Sequence, residues 1–102
     1  MRDAEPATLG PCPLCERPLI AGHSVNQHHL VPRTFGGREA HWIHKICHAK
    51  IHATLSEREL LKVYHTWDAL RAHPEIAAFI RWVERKPPEF KAMTRKTRAR
   101  WR

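Results

Sequence analysis

His44-Lys45-Ile46-Cys47-His48-Ala49-Lys50-Ile51-His52 places four side chains of metal-ligand type within nine residues. No Gly or Pro interrupts the chain between His44 and Leu55, and Lys45, Ala49, Lys50 and Ala53 are good to fair helix formers. This pattern predicts a helix of two to three turns. His48 and His52 are four residues apart, so both rings leave one helical face and can grip one ion. His44 and Cys47 form a different pair, whose x-x spacing repeats that of Cys12-Pro13-Leu14-Cys15. The stretch therefore splits between two ligand sets, and the fold must bring one earlier segment to each.

Cys12, Cys15, His44 and Cys47 make a Cys3His set. Zinc accepts tetrahedral sulfur and nitrogen donors, and two x-x-spaced pairs brought face to face supply them with little loop strain. Four protein ligands leave no position for water, so this site is expected to be structural. Three cysteines is an odd number that suits a disulfide framework poorly. The second set pairs His48 and His52 with the adjacent histidines of Asn26-Gln27-His28-His29. Neighbours on a strand point to opposite sides, so if one of His28 and His29 meets the helix, the other is free for a different task.

The chain has 102 residues, with 18 Lys+Arg against 10 Asp+Glu and a net charge of +8, which describes one small basic domain and excludes a multidomain enzyme. A 42% apolar content and four Trp argue against wholesale disorder. A chain this short buries only about two-thirds of its unfolded surface, so a metal staple would help it. Met1-Arg2-Asp3-Ala4-Glu5-Pro6 lacks the apolar core of a signal peptide, and no stretch is long and apolar enough to span a membrane. A cytoplasmic protein without a membrane partner is the expectation.

Residues 1–11 have neither helical nor strand period and read as an arm leading to a knuckle-like turn from Cys12 to about Gly22. Leu30-Val31-Pro32 reads as a short strand entering the Gly36-Gly37 loop, with His41-Trp42-Ile43 as the returning strand. Ser56-Glu57-Arg58-Glu59 has the form of a capping box, opening a helix with Leu60, Val63, Trp67 and Leu70 on one face and Thr66 as a candidate break. His73-Pro74-Glu75 starts another, with Ile76, Phe79, Ile80 and Val83 at helical spacing and Pro87-Pro88 as its stop. Trp67, Phe79 and Trp82 read as core residues; His65 and His73 read as surface or capping residues and His23 as a loop residue. From Arg85 onward eight basic residues face one acid. The expected class is α+β: a zinc-stapled unit over residues 1–55, a helical extension over 56–86 packed on it, and a basic tail over 87–102.

Taken in order, Asn26-Gln27-His28-His29-Leu30-Val31-Pro32-Arg33, then Gly36-Gly37, then His44 to His52, resemble the ββα-metal site of HNH endonucleases of the small bacterial and phage type with a zinc-binding knuckle. The match runs from Cys12 to about His52. Position by position, the resemblance implies His29 as the general base that activates water, and His28, His48 and His52 as ligands of a catalytic divalent ion. It also implies products with 5′-phosphate and 3′-hydroxyl ends. The Asn that usually braces the loop in this family falls near residue 39, where the chain has Glu39; His41 is the nearest other polar candidate for loop bracing. His44 stands where the family usually has Cys, and His is an ordinary zinc ligand.

Imidazole donors suit Zn2+, Ni2+, Co2+ or Mn2+ better than Mg2+, which prefers oxygen, so strict magnesium dependence is not expected. Arg33 and Arg38 in the loop, with Arg95, Lys96, Arg98 and Arg100 in the tail, supply cations for a polyphosphate backbone, and the expected partner is double-stranded DNA. Two functional classes follow. One is a metal-dependent endonuclease; the other is a zinc-stabilised nucleic-acid-binding module without catalysis, for which the knuckle and the tail suffice.

Overall fold

The structure, a computed structural model, describes residues 8–90, except for the Arg33 side chain. Its elements in chain order are β1 (Thr8–Pro11), β2 (Pro18–Ile20), β3 (Val25–His28), a 3-10 turn (Arg33–Phe35), β4 (His41–His44), α1 (Lys45–Thr54), α2 (Glu57–Lys62), α3 (Trp67–Ala72) and α4 (Pro74–Val83). The class is α+β, with two separate two-stranded antiparallel sheets, β1-β2 and β3-β4. Arg95, Lys96, Arg98 and Arg100, and with them most of the expected basic tail, lie outside the described residues.

The knuckle is the loop of the first hairpin. The Cys12 N–H donates to the Arg17 carbonyl at 2.9 Å and the Glu16 N–H to the Cys12 carbonyl at 2.8 Å, folding Cys12 and Cys15 toward each other. Glu16 sits at φ +71°, in the left-handed region that costs an L-residue about 1 kcal/mol. Glu16→Gly relieves that cost and loses part of the gain to the greater entropy of the unfolded chain. We expect it to raise the unfolding free energy by about 0.5 kcal/mol in urea titrations; a decrease would contradict the strain. Thr8–Pro11, expected as an arm, is a strand. All four of its residues are exposed, so it carries no apolar alternation, and only the knuckle brings it beside β2.

The second hairpin pairs Val25 with His44, Asn26 with Ile43, Gln27 with Trp42 and His28 with His41. The strand expected at Leu30-Val31-Pro32 thus lies earlier, and those three residues begin the loop. Pro32 has no N–H to give a ladder, and its carbonyl instead accepts from the Phe35 and Gly37 N–H groups. Gly37 is demanded by space, since a Cβ there would fall 1.7 Å from the Val31 carbonyl oxygen.

Cys47 and Ile51 give α1 its buried stripe, and the helix packs on β3, β4 and α4. The Ser56 capping box forms as expected, with the Glu59 N–H donating to Ser56 Oγ and the Ser56 N–H to Glu59 Oε1. The helix it opens ends at Lys62, and Thr66 caps a new one by accepting from the Ala69 N–H. Because of that break Val63 leaves the apolar face and is 57% exposed. His73 caps α4 by accepting from the Glu75 N–H, ahead of Pro74. That helix stops at Val83, before the prolines, and Trp82 is 46% exposed, outside the core expected for it.

One apolar cluster joins both parts of the chain. Cys12, Leu14, Leu19, Val25, Ile43, Cys47 and Ile51 are buried together with Leu60, Leu70, Ile76 and Val83, and Trp67 and Phe79 pack at its margin. Two arginines tie the knuckle to the later helices: Arg71 donates to the Pro13 carbonyl, and Arg17 Nη1 donates to the Pro87 carbonyl at 2.6 Å. Among the described residues no helix is long and apolar enough to cross a membrane.

Candidate metal centres

Cys12 and Cys15 come from the first hairpin loop, His44 from the end of β4 and Cys47 from the first turn of α1. All four are buried, and their ligand atoms lie within 4.8 Å of one another. Cys12 Sγ is 4.0 Å from Cys47 Sγ, and Cys15 Sγ is 3.5 Å from His44 Nδ1. A zinc tetrahedron with the usual bond lengths has edges of about 3.8 Å between sulfurs and about 3.6 Å between sulfur and nitrogen. The donor set fits a structural metal such as zinc in chemistry and in size.

The crowding of these groups has an electrostatic signature. Hydrogen bonds from Cys15 and Cys47 draw the Cys12 thiol well below its ordinary range, and the hydrogen bond to Cys12 pushes Cys47 upward. Burial alone would depress His44, but hydrogen bonds to the Cys12 and Cys15 sulfurs outweigh it and raise the imidazole to about 9. With zinc, three thiolates and a neutral imidazole leave one net negative charge, and a buried guanidinium faces it: Arg17 Nε donates to Cys15 Sγ at 3.2 Å. Sequence reasoning missed Arg17, because nothing in its spacing distinguishes it from a solvated arginine.

The second cluster joins His28, at the end of β3, to His48 and His52 on the face of α1 beside the Cys47/Ile51 stripe. Their ligand nitrogens also lie within 4.8 Å of one another. His48 Nε2 and His52 Nε2 face each other at 3.0 Å, and the His28 ring lies edge-on to both, at centroid distances of 5.0 and 5.5 Å. His28 is 1% exposed, and neither of its ring nitrogens has a hydrogen-bond partner. An unpartnered buried imidazole is costly, and a bound cation would satisfy it. The residues fit a second ion on that ground.

Burial, reinforced by the neighbouring His48 and His52, pushes the His28 imidazole down to about 3. Burial and His52 lower His48 to about 4, and burial lowers His52 against the opposing pull of Glu57. At neutral pH these rings are uncharged and offer lone pairs. Between about 3 and 6.5 the unfolded chain binds more protons than the folded one, so stability is full above that window and lost as pH falls through it. His28 alone should cost about 2 kcal/mol at pH 5 relative to pH 7. Urea unfolding at both pH values should show that difference shrinking in His28→Phe; an equal loss in wild type and variant would contradict it.

His29 is the first residue beyond β3 and is not among the three rings of the cluster. It lines a cleft of about 190 Å³ with Gln27, Pro32, His48, His52 and Glu57. His41 pairs opposite His28, and Trp67 packs on both rings, at centroid distances of 5.6 Å from His28 and 5.7 Å from His41. Glu39 is exposed and makes no side-chain hydrogen bond among the described residues; with Arg38 and His41 it lines a separate hollow of about 330 Å³. Arg33 lies in the 3-10 turn. Trp67, expected as core, and Glu57, expected only within a cap, thus reach the histidine site; their distance along the chain hid this.

Fold and site together define a small α+β protein with a buried Cys3His cluster of metal-binding geometry. No family model matches the chain, and no solved structure matches it. It is 33% identical over 93 residues to the uncharacterized protein YisB of Bacillus subtilis (strain 168), covering 89% of this chain and 90% of that protein. The chain belongs to the YisB family.

Proposed function

We propose that the protein is a metal-dependent endonuclease of the HNH type that hydrolyses phosphodiester bonds in DNA. His28, His48 and His52 hold a divalent ion, and His29 is the general base. The observation that carries this reading is the convergence of three imidazoles, one of them buried and unpartnered, with a fourth, His29, that stays outside the cluster and lines a cleft with two of them, His48 and His52. Nucleic-acid binding alone requires no such second cluster.

The bound ion would stabilise negative charge on the phosphate and on the departing 3′ oxygen. His29 accepts a proton from the attacking water, whose oxygen bonds to phosphorus as the bond to the 3′ oxygen breaks. The 3′ oxygen takes up a proton from solvent, leaving 5′-phosphate and 3′-hydroxyl ends. Basic residues hold the substrate through its phosphates, so affinity falls with salt and carries little sequence preference.

Supercoiled plasmid incubated with purified protein and each of Mn2+, Co2+, Ni2+, Zn2+ and Mg2+ tests the proposal. Cleavage is expected with transition ions and weak or absent with Mg2+. Protein that binds the plasmid yet leaves it uncut with every ion would be the zinc-stabilised binding module instead.

A further inference from the structure

We infer that Asn26 is a positioning residue for the histidine centre: its amide oxygen fixes which nitrogen of His48 faces the ion. The inference rests on the reading of His28, His48 and His52 as ligands of one ion. It extends that reading to a residue on the strand that delivers His28.

Asn26 and His28 are two apart on β3, so both project from the face that α1 covers. From there Asn26 Oδ1 accepts a hydrogen bond from His48 Nδ1–H at 2.9 Å. On the other side of the ring, Nε2 points at His52 Nε2, 3.0 Å away. A neutral imidazole carries one proton, and a ligand nitrogen must be bare. If Nε2 is the ligand, the proton sits on Nδ1 and needs an acceptor in a half-buried position. An asparagine offers only its Oδ1 for that purpose. One strand thus supplies both a ligand and the group that orients a ligand on the neighbouring helix.

The choice of an amide matters as well. Metal-bound histidines often donate to a carboxylate, which raises ligand basicity and adds negative charge near the ion. Asn26 sets the tautomer without that charge, so a divalent ion among three neutral imidazoles keeps its full attraction for an anionic phosphodiester.

Two measurements on the full chain, with zinc retained in the cysteine cluster, decide the matter. The first is 15N NMR of the histidine rings without added ion. Wild type and Asn26→Asp should show His48 protonated at Nδ1, and Asn26→Leu a mixture of tautomers. His48 found protonated at Nε2 in wild type would overturn the inference with no variant needed. The second is Co2+ titration followed by visible absorption. Asn26→Leu should bind about 10- to 100-fold more weakly, while Asn26→Asp binds at least as tightly as wild type. Equal Co2+ affinity in wild type and Asn26→Leu, with an unchanged tautomer, would also overturn it. His48→Ala separates the two readings. If removing that ring leaves Co2+ affinity unchanged, the three-histidine centre itself is wrong, whereas weakening by His48→Ala and none by Asn26→Leu refutes only the role of Asn26.

Discussion

Plasmid cleavage by His29→Ala is expected to fall about 10²- to 10⁴-fold below wild type, the usual contribution of a positioned general base, with folding, zinc content and DNA binding retained. His29 is partly exposed, lies outside the apolar cluster and makes no side-chain hydrogen bond among the described residues, so its loss should shift stability by less than about 0.5 kcal/mol. It also lies outside the His28/His48/His52 group, so Co2+ affinity should be nearly unchanged. His28→Ala should instead lose both cleavage and Co2+ binding. A His29→Ala protein that cuts as fast as wild type would remove His29 as the base and leave the metal centre standing.

Cys15→Ser should lose zinc and, with it, the whole fold. Zinc binding at structural sites is worth about 10–16 kcal/mol in small domains at neutral pH, as much as the entire stability of most domains. Serine is a poor zinc ligand at neutral pH, and the substitution also strips the buried Arg17 guanidinium of its sulfur partner. Sequence alone would confine the damage to the N-terminal half. The structure extends it, because Cys12, Cys15 and Cys47 share a core with Leu60, Leu70, Ile76 and Val83, and Arg17 and Arg71 tie the knuckle to the later helices. Circular dichroism should therefore show the helical signal collapsing in one transition at a far lower temperature than in wild type. Metal analysis should find no bound zinc. Retained zinc with unchanged melting would refute the structural site.

The grouping of the candidate ligands was legible because metal chemistry imposes spacing. Both x-x pairs and the His48/His52 pair are periodic signals, and the structure gathers Cys12, Cys15, His44 and Cys47 at one point and His28, His48 and His52 at another. The α1 helix, the Ser56 cap and the Pro74 start were legible for a similar reason, each resting on a local rule. Strand limits were not. In β1 every residue is exposed, and in β3 the last residue is held by its partner His41 and its helix neighbours, so the pairing that defines each strand is remote in sequence. The same remoteness hid Asn26 and Trp67, whereas Arg17, only two residues from Cys15, was hidden because nothing in its spacing sets it apart from a solvated arginine. An asparagine on a strand, an indole 39 positions beyond His28 and an arginine beside the knuckle acquire their roles only through folding.

Cys47 and His48 are consecutive on α1, one assigned to each ligand set. Any reagent strong enough to strip the first centre must disturb the backbone that presents the second. Inhibition by a potent chelator would consequently be ambiguous about which ion had been taken. The informative assay is a mild, reversible depletion, in which the fraction of activity recovered on adding ion back reports the histidine centre and the unrecovered fraction counts molecules whose cysteine centre has been emptied.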